Sequence, residues 1–315
     1  MPAETPVAEL VERARAGQAR AVARLISLVE DESPRLREVA AALTPHTGNA
    51  VVLGLTGPPG VGKSTSTSVL VGAFRARGLR VGVLAIDPSS PFSGGALLGD
   101  RIRMHDHTTD PDVFIRSMAT RGHLGGLAVA TPQALRVLDA AGYDVVLIET
   151  VGVGQSEVDI VSLADTTVVL LAPGMGDGIQ AAKAGILEVA DVFVVNKADR
   201  DGASETVRDL KHMISLGRRE LGPSWRQPIV RTVASAGEGV ADVLAALDAH
   251  RAWLESHGEL TVRRETRAAR EIEAIAVASL RARFAGPGGS AVASLAKRVA
   301  AGELDPYAAA DLLTG

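Results

Sequence analysis

Short apolar runs recur through the middle of the chain, and each is followed by a helical or glycine-rich segment. The runs cover residues 51–55, 81–86, 145–148, 167–171, 192–195 and 229–233. Runs that are apolar at consecutive positions are typical of strands buried on both faces, and the segments between them suit crossover helices. The pattern therefore predicts an α/β fold built on a doubly wound, mostly parallel sheet.

Helical periodicity flanks this region on both sides. It predicts a helical N-terminal extension over residues 1–47, before the α/β domain of residues 48–253. A helical arm is predicted over residues 254–315. It begins with a charged helical stretch, breaks at the Gly-Pro-Gly-Gly of residues 286–289 and ends in a last helical segment. The arm is either a cap packed on the domain or a surface for self-association, and both interpretations stay open here.

Composition excludes several classes of protein. The 315 residues include no cysteine, which excludes disulfides, thiolate metal sites and cysteine catalysis. The formal net charge of −4 gives no electrostatic reason to expect binding to nucleic acid or to an anionic membrane. Residues 1–20 lack the apolar core of a secretory signal, and no apolar run has the length of a membrane span. We therefore expect a cytoplasmic location.

The first chemical signal is a complete G-x-x-x-x-G-K-S phosphate loop at residues 57–64, placed between a predicted strand and a predicted helix. Glycines let successive backbone N–H groups point at phosphate oxygens, and the helix that follows adds its positive end. Lys63 is predicted to reach the β- and γ-phosphates, and Ser64 is predicted to offer its hydroxyl to Mg²⁺. The loop as a whole comprises Gly57, Pro58, Pro59, Gly60, Val61, Gly62, Lys63, Ser64 and Thr65.

The nucleobase is indicated by an N-K-x-D motif after the run at residues 192–195. The Asp199 carboxylate can accept hydrogen bonds from N1–H and the 2-amino group of guanine, and adenine offers no matching pair of donors. We therefore expect GTP and GDP rather than ATP. Asn196 is predicted to tie this motif to the phosphate loop, and the stem of Lys197 to lie over the base. A loop of small residues after the last run is predicted to close over the base, through Ala234, Ser235 and Ala236.

Carboxylates at strand ends predict the metal and switch region. Asp87 ends the run at residues 81–86, and Glu149 stands where many GTPases carry the aspartate of D-x-x-G, with Gly152 placed to contact the γ-phosphate. The predicted metal ligands are Ser64, Asp87 and Glu149. The predicted catalytic residues are Lys63, Asp87, Asp100 and Glu149, and Arg101 and Lys183 are further candidates for orienting water or stabilising charge. No glutamine directly follows Gly152, so we expect slow intrinsic hydrolysis.

Together these segments resemble the MeaB/ArgK family of P-loop GTPases. The matching stretches cover nearly the whole α/β domain: residues 57–65, 87–91, 98–104, 149–157, 173–177 and 196–199. The resemblance implies a GTPase domain between a helical extension and a helical arm used in homodimers. It also places Asp87, Asp100 and Glu149 in the metal and catalytic region.

The same resemblance implies a function. Members of the family are chaperones of adenosylcobalamin-dependent methylmalonyl-CoA mutase, which couple GTP binding and hydrolysis to cofactor loading and protection of the mutase. In this chain residues 174–183 would be the switch that responds to the mutase. Three alternatives remain open: a metallochaperone-type GTPase, a transport-associated ATPase, which Asp199 disfavours, and a scaffold that binds GTP without turnover.

Overall fold

The computed structural model describes residues 5–87, 107, 109–119, 130–150, 162–174, 189–217, 224–285 and 289–314. The chain divides into two compact units, residues 1–261 and residues 262–315. The three-part division at residues 47 and 253 stays a prediction.

The larger unit is built on a sheet of seven described strands, in which every pair of neighbours is parallel. The strands are β1 (Val51–Thr56), β2 (Val81–Asp87), β3 (Val113–Ala119), β4 (Val145–Thr150), β5 (Thr166–Leu171), β6 (Val192–Val195) and β7 (Ile229–Arg231). Their order across the sheet is β3-β2-β4-β1-β5-β6-β7. Strands β2, β3 and β4 lie on one side of β1, and β5, β6 and β7 lie on the other. The predicted doubly wound α/β fold is therefore confirmed.

Helices cover both faces of this sheet. They are α1 (Val7–Arg15), α2 (Ala19–Glu30), α3 (Leu36–Leu43), α4 (Lys63–Ala76), α5 (Thr131–Ala140), α6 (Ala203–Gly217) and α7 (Val240–Ser256). Helices α1, α2, α3 and α5 share one hydrophobic core with β2 and β4, and α4 and α7 share another with the opposite face. The apolar periodicity of the N-terminal residues therefore reflects real burial, with Leu25 and Ile26 fully enclosed.

The sequence prediction missed one strand, β3. It pairs with β2 at the edge of the sheet and contains Arg116, whose guanidinium donates to the Glu30 carboxylate of α2 and to the Ser27 hydroxyl. An edge strand has one side open to polar partners, so it lacks the continuous apolar run that identifies a central parallel strand. The last predicted strand is also shorter than expected, because the chain turns at Thr232 into a 3₁₀ turn over Ala234–Ala236.

The second unit is helical. It consists of most of α8 (Glu259–Ala285), followed by α9 (Gly289–Ala300) and α10 (Pro306–Thr314). Helix α10 is capped at its N-terminus, because the Asp305 carboxylate accepts hydrogen bonds from the N–H groups of Tyr307 and Ala308 at 2.9 and 3.1 Å. No helix in the described part of the chain is long and apolar enough to cross a membrane.

Candidate nucleotide-binding site

The phosphate loop joins the carboxyl end of β1 to the first turn of α4. β1 ends at Thr56 and α4 begins at Lys63, so residues 57–62 form the connection between strand and helix that a phosphate loop requires. The first helical N–H groups and the loop N–H groups lie at the positive end of α4. A phosphate bound there would interact with both.

Two glycines of this loop allow approaches that no other residue permits. Gly57 has a φ of +141°, and a Cβ atom there would lie 2.2 Å from the carbonyl oxygen of Leu170. Gly62 has a φ of +94°, and its Cβ would lie 2.5 Å from Nδ2 of Asn196. The loop is therefore pressed between β5 and the N-K-x-D motif, and its shape depends on both.

Lys63 is 8% exposed and lies inside the loop that it ends. Its Nζ donates to the carbonyl oxygens of Gly57 and Pro58, at 2.6 and 3.0 Å. These contacts hold an ammonium group at the centre of the loop. A phosphate oxygen entering the loop would meet this charge directly.

A buried contact joins the first turn of α4 to the end of β4. The Ser64 hydroxyl donates to Oε1 of Glu149 at 2.7 Å, and the two residues are 6% and 4% exposed. β1 and β4 are neighbours with Leu55 opposite Glu149, so the sheet register brings the carboxylate beside the phosphate loop. A hydroxyl and a carboxylate at this distance are oxygen donors of the kind that Mg²⁺ takes beside a nucleotide.

The described residues contain no group of three or more His, Asp or Glu side chains able to hold a metal ion by themselves. At nucleotide sites Mg²⁺ takes one or two protein ligands together with phosphates and water. Asp87 is the last residue of β2, the strand next to β4, so its backbone lies at the same edge of the sheet as Glu149. Asp100, Arg101, Gly152 and Lys183 lie outside the described residues, and their part in the site stays a prediction.

Asn196 connects three parts of the site and is 3% exposed. Its Nδ2 donates to the carbonyl oxygen of Val61 in the phosphate loop at 2.8 Å. Its Oδ1 accepts from the Thr232 hydroxyl at 3.1 Å and from the N–H of Ala234 at 3.0 Å. The role of Thr232 did not emerge from the sequence, because a threonine after a short strand has no distinctive spacing.

Lys197 of the same motif also contacts the phosphate loop. Lys197 adopts a left-handed conformation with φ of +56°, and its Nζ donates to the carbonyl oxygen of Gly60 at 2.6 Å. Its side chain therefore bridges the N-K-x-D motif and the phosphate loop. Asp199 is exposed, and the N–H of Ala198 donates to the carbonyl oxygen of Thr232 at 3.0 Å. The 3₁₀ turn at Ala234–Ala236 adjoins this group through Ala234.

Three features of this site define the P-loop GTPase class. They are a phosphate loop between strand and helix, a buried carboxylate beside it, and an N-K-x-D motif that is hydrogen-bonded to the loop. Residues 22–287 match the family model described as methylmalonyl-CoA mutase-associated GTPase MeaB. The chain belongs to this family, and the protein is a GTPase.

Named relatives and a solved structure agree with this assignment. A Pyrococcus abyssi protein whose name classes it among GTPases is 50% identical over 309 residues, covering 97% of this chain and 95% of its own. The mouse methylmalonic aciduria type A homolog, a mitochondrial protein, is 37% identical over 266 residues, covering 79% of this chain and 64% of its own. The crystal structure of an LAO/AO transport system kinase superposes with a TM-score of 0.70 at 27% identity, covering 100% of this chain and 98% of that one.

Proposed function

We propose that this GTPase is a nucleotide-dependent chaperone that assists cofactor loading and protection of an adenosylcobalamin-dependent methylmalonyl-CoA mutase. Two findings support the choice of partner: the family is named for its association with that mutase, and the mouse relative is named for methylmalonic aciduria. The observation in this chain that carries the proposal is the buried contact between Ser64 and Glu149. It links the predicted metal site to the end of β4, so a change at the metal and nucleotide can reach the segment that follows this strand.

The proposal assigns the following roles within the site. Lys63 and the loop N–H groups hold the phosphates, and Ser64, Asp87 and Glu149 contribute to the Mg²⁺ site directly or through water. Gly152 contacts the γ-phosphate, and Asp87, Asp100 and Glu149 serve hydrolysis together with Lys63. Asn196, Lys197 and Asp199 bind guanine, and the 3₁₀ turn of Ala234, Ser235 and Ala236 closes over it.

A nucleotide-dependent chaperone also needs a way to report which nucleotide is bound. Glu149 and Thr150 end β4 directly before residues 151–161, and β5 ends shortly before Gly174. Segments that follow strand ends at the nucleotide edge are placed to respond to the γ-phosphate and to present that response to a partner. The mutase can be regulated in this way only if its affinity differs between the two nucleotide states.

The first test measures this coupling with purified methylmalonyl-CoA mutase loaded with adenosylcobalamin. We expect a stable complex, an increase in the rate of GTP hydrolysis, and an affinity that differs about 5- to 150-fold between GTP- and GDP-bound forms. Size-exclusion chromatography detects the complex, and phosphate release measures the rate. The proposal is wrong if the mutase neither co-elutes in any nucleotide state nor changes hydrolysis.

A pair of glycines supplies a matched control for that test. Gly174 and Gly78 have φ values of +81° and +78°, and a Cβ at either would meet no atom of the described residues within 4 Å. Alanine therefore introduces similar backbone strain at both, about 1–2 kcal/mol. Gly174 follows β5 at the nucleotide edge and Gly78 precedes β2 at the opposite edge. We expect Gly174→Ala to reduce stimulation by the mutase and Gly78→Ala to leave it unchanged.

We further propose that the chain forms a homodimer through its C-terminal helices. The large apolar side chains that are exposed in the described residues all lie in the second unit: Val262, Ile272, Ile275, Val277, Leu280, Val292, Tyr307 and Leu312. Ile272 is 69% exposed and Tyr307 85%. A concentration of exposed apolar side chains in one unit is typical of a protein–protein interface. A second copy of the same helices carries the same apolar side chains, so the two copies can bury them against each other.

Charged substitutions in α8 test the dimer. Ile272→Asp with Leu280→Asp is expected to convert the protein to a monomer, because two carboxylates would be desolvated in the interface. Ala278→Asp is the control, since it adds the same group at an exposed position of the helix about 120° around from Ile272. Light scattering coupled to size-exclusion chromatography gives the mass. A native protein that is monomeric at micromolar concentration would contradict the proposal.

A further inference from the structure

A cavity of about 660 Å³ lies at the edge of the sheet opposite the nucleotide site. Its wall includes Val51 and Val145, the first residues of β1 and β4. The nucleotide site lies beyond the last residues of the same strands, roughly 17 Å away for a six-residue strand. Ligands of doubly wound folds bind at the carboxyl ends of strands, so the fold gives no reason for a cavity here.

Two guanidinium groups from different helices line this cavity. Arg15 comes from the last turn of α1 and Arg251 from α7. Each pairs with a glutamate of its own helix, Glu12 at 3.1 Å and Glu255 at 2.8 Å. Both glutamates are more than half exposed, and such pairs contribute about 0.3–0.5 kcal/mol. Either arginine can therefore turn toward an anion in the cavity at little cost.

The two carboxylates that line the cavity, Asp139 and Asp144, already accept hydrogen bonds from backbone N–H groups. Asp139 accepts hydrogen bonds from the N–H groups of residues 48–50, including that of Ala50 at 2.9 Å. Asp144 accepts from the N–H of Arg80 at 2.7 Å. These bonds hold the loops around the cavity and disperse the negative charge of both carboxylates, so they oppose an incoming anion less than solvated carboxylates would.

The remaining wall combines the polar residues His46 and Asn49 with apolar residues, and a hydrogen-bond network holds one side of it in place. The Arg80 guanidinium lies 4.6 Å from the centre of the Tyr143 ring and donates to the carbonyl oxygens of Ala141 and Gly142, at 2.8 and 3.1 Å. This network fixes the turn between α5 and β4. The aliphatic side chains of the lining are Pro45, Val51, Leu79, Ala140, Ala141 and Val145.

We propose that this cavity is a second ligand site, which binds a small organic anion carrying a phosphate or carboxylate group. The anionic group lies between Arg15 and Arg251, and the apolar body packs on the strand ends beside Val51 and Val145. The volume is that of a small-molecule site, and guanidinium groups bind such anions through paired hydrogen bonds. The inference stands independently of the mutase and of the roles assigned within the nucleotide site.

The experiment uses full-length protein saturated with GDP, so that the phosphate loop is occupied, and 1-naphthyl phosphate as the probe in calorimetric titrations. We expect one binding event per chain. Arg15→Gln and Arg251→Gln should each weaken it about tenfold or more, because each removes a charged hydrogen-bond donor. Arg13→Gln is the matched control, since Arg13 lies on the same helix and pairs with Glu9 in the same way but does not line the cavity.

Two further titrations measure how much the apolar body and the anionic group of the ligand each contribute to binding. Inorganic phosphate should bind more weakly than 1-naphthyl phosphate, because it leaves the apolar wall uncovered, and 1-naphthoate distinguishes a carboxylate from a phosphate head. GDP affinity should stay unchanged in all three variants, which shows that they are folded. The proposal is overturned if neither naphthyl probe binds at millimolar concentration. It is equally overturned if Arg13→Gln weakens binding as much as Arg15→Gln and Arg251→Gln.

Discussion

Replacing Glu149 with alanine is expected to slow single-turnover GTP hydrolysis by about 10²–10³-fold while changing GTP affinity much less. Glu149 is 4% exposed, accepts a hydrogen bond from Ser64 at 2.7 Å, and is the penultimate residue of the strand that precedes the proposed γ-phosphate contact. A group in this position acts most strongly when charge shifts during phosphoryl transfer. Lys63→Ala should behave differently, because Lys63 faces the ground-state phosphates, and it should weaken nucleotide binding itself.

A glutamine at position 149 distinguishes the effect of the negative charge on hydrolysis from the effect of the side chain on stability. Glu149→Gln keeps the size of the side chain and an oxygen that accepts from Ser64, and it removes the negative charge. If the charge matters for Mg²⁺ and hydrolysis, Glu149→Gln should be nearly as slow as Glu149→Ala and should unfold at a temperature close to that of the native protein. Rapid-quench measurement of phosphate release checks the rate. Unchanged single-turnover hydrolysis in Glu149→Ala would remove this residue from the proposed mechanism.

The second large effect concerns the base. Asp199→Asn is expected to weaken GTP binding by about 100-fold and to favour xanthosine triphosphate. In the proposed site the aspartate would accept from two guanine donors. Asparagine would present an N–H donor toward them instead, so polar groups would be left unpaired at a cost of about 1–3 kcal/mol each. Xanthine carries an oxygen in place of the 2-amino group and can accept from the asparagine amide.

Asp201 provides the control for this substitution. It is exposed in the turn just after the motif, so Asp201→Asn makes the same chemical change two residues away. Calorimetric titration with GTP, ATP and xanthosine triphosphate should show an altered base preference for Asp199→Asn alone. Equal affinity of the native protein for ATP and GTP would contradict the assignment of the motif to guanine recognition.

Much of the fold could be predicted from the sequence because its signals are local. A strand buried on both faces needs apolar residues at consecutive positions, so five of the six predicted strands have nearly the bounds that the structure gives. The sixth was predicted two residues too long, and β3 was missed, because polar partners outside the sheet determine those segments. Arg116 in this strand has its carboxylate partner in Glu30, 86 residues earlier in the chain.

The amino-acid sequence by itself determined the phosphate loop, the N-K-x-D motif and their places at strand ends, because glycine conformation and side-chain chemistry are properties of single residues and short spacings. Tertiary structure alone decided which of these groups meet. Ser64 reaches Glu149 across 85 residues and Asn196 reaches Val61 across 135, through strand register that no local pattern encodes. The same holds for the cavity lined by Arg15 and Arg251, since its wall combines residues of α1, of α7 and of the strand starts.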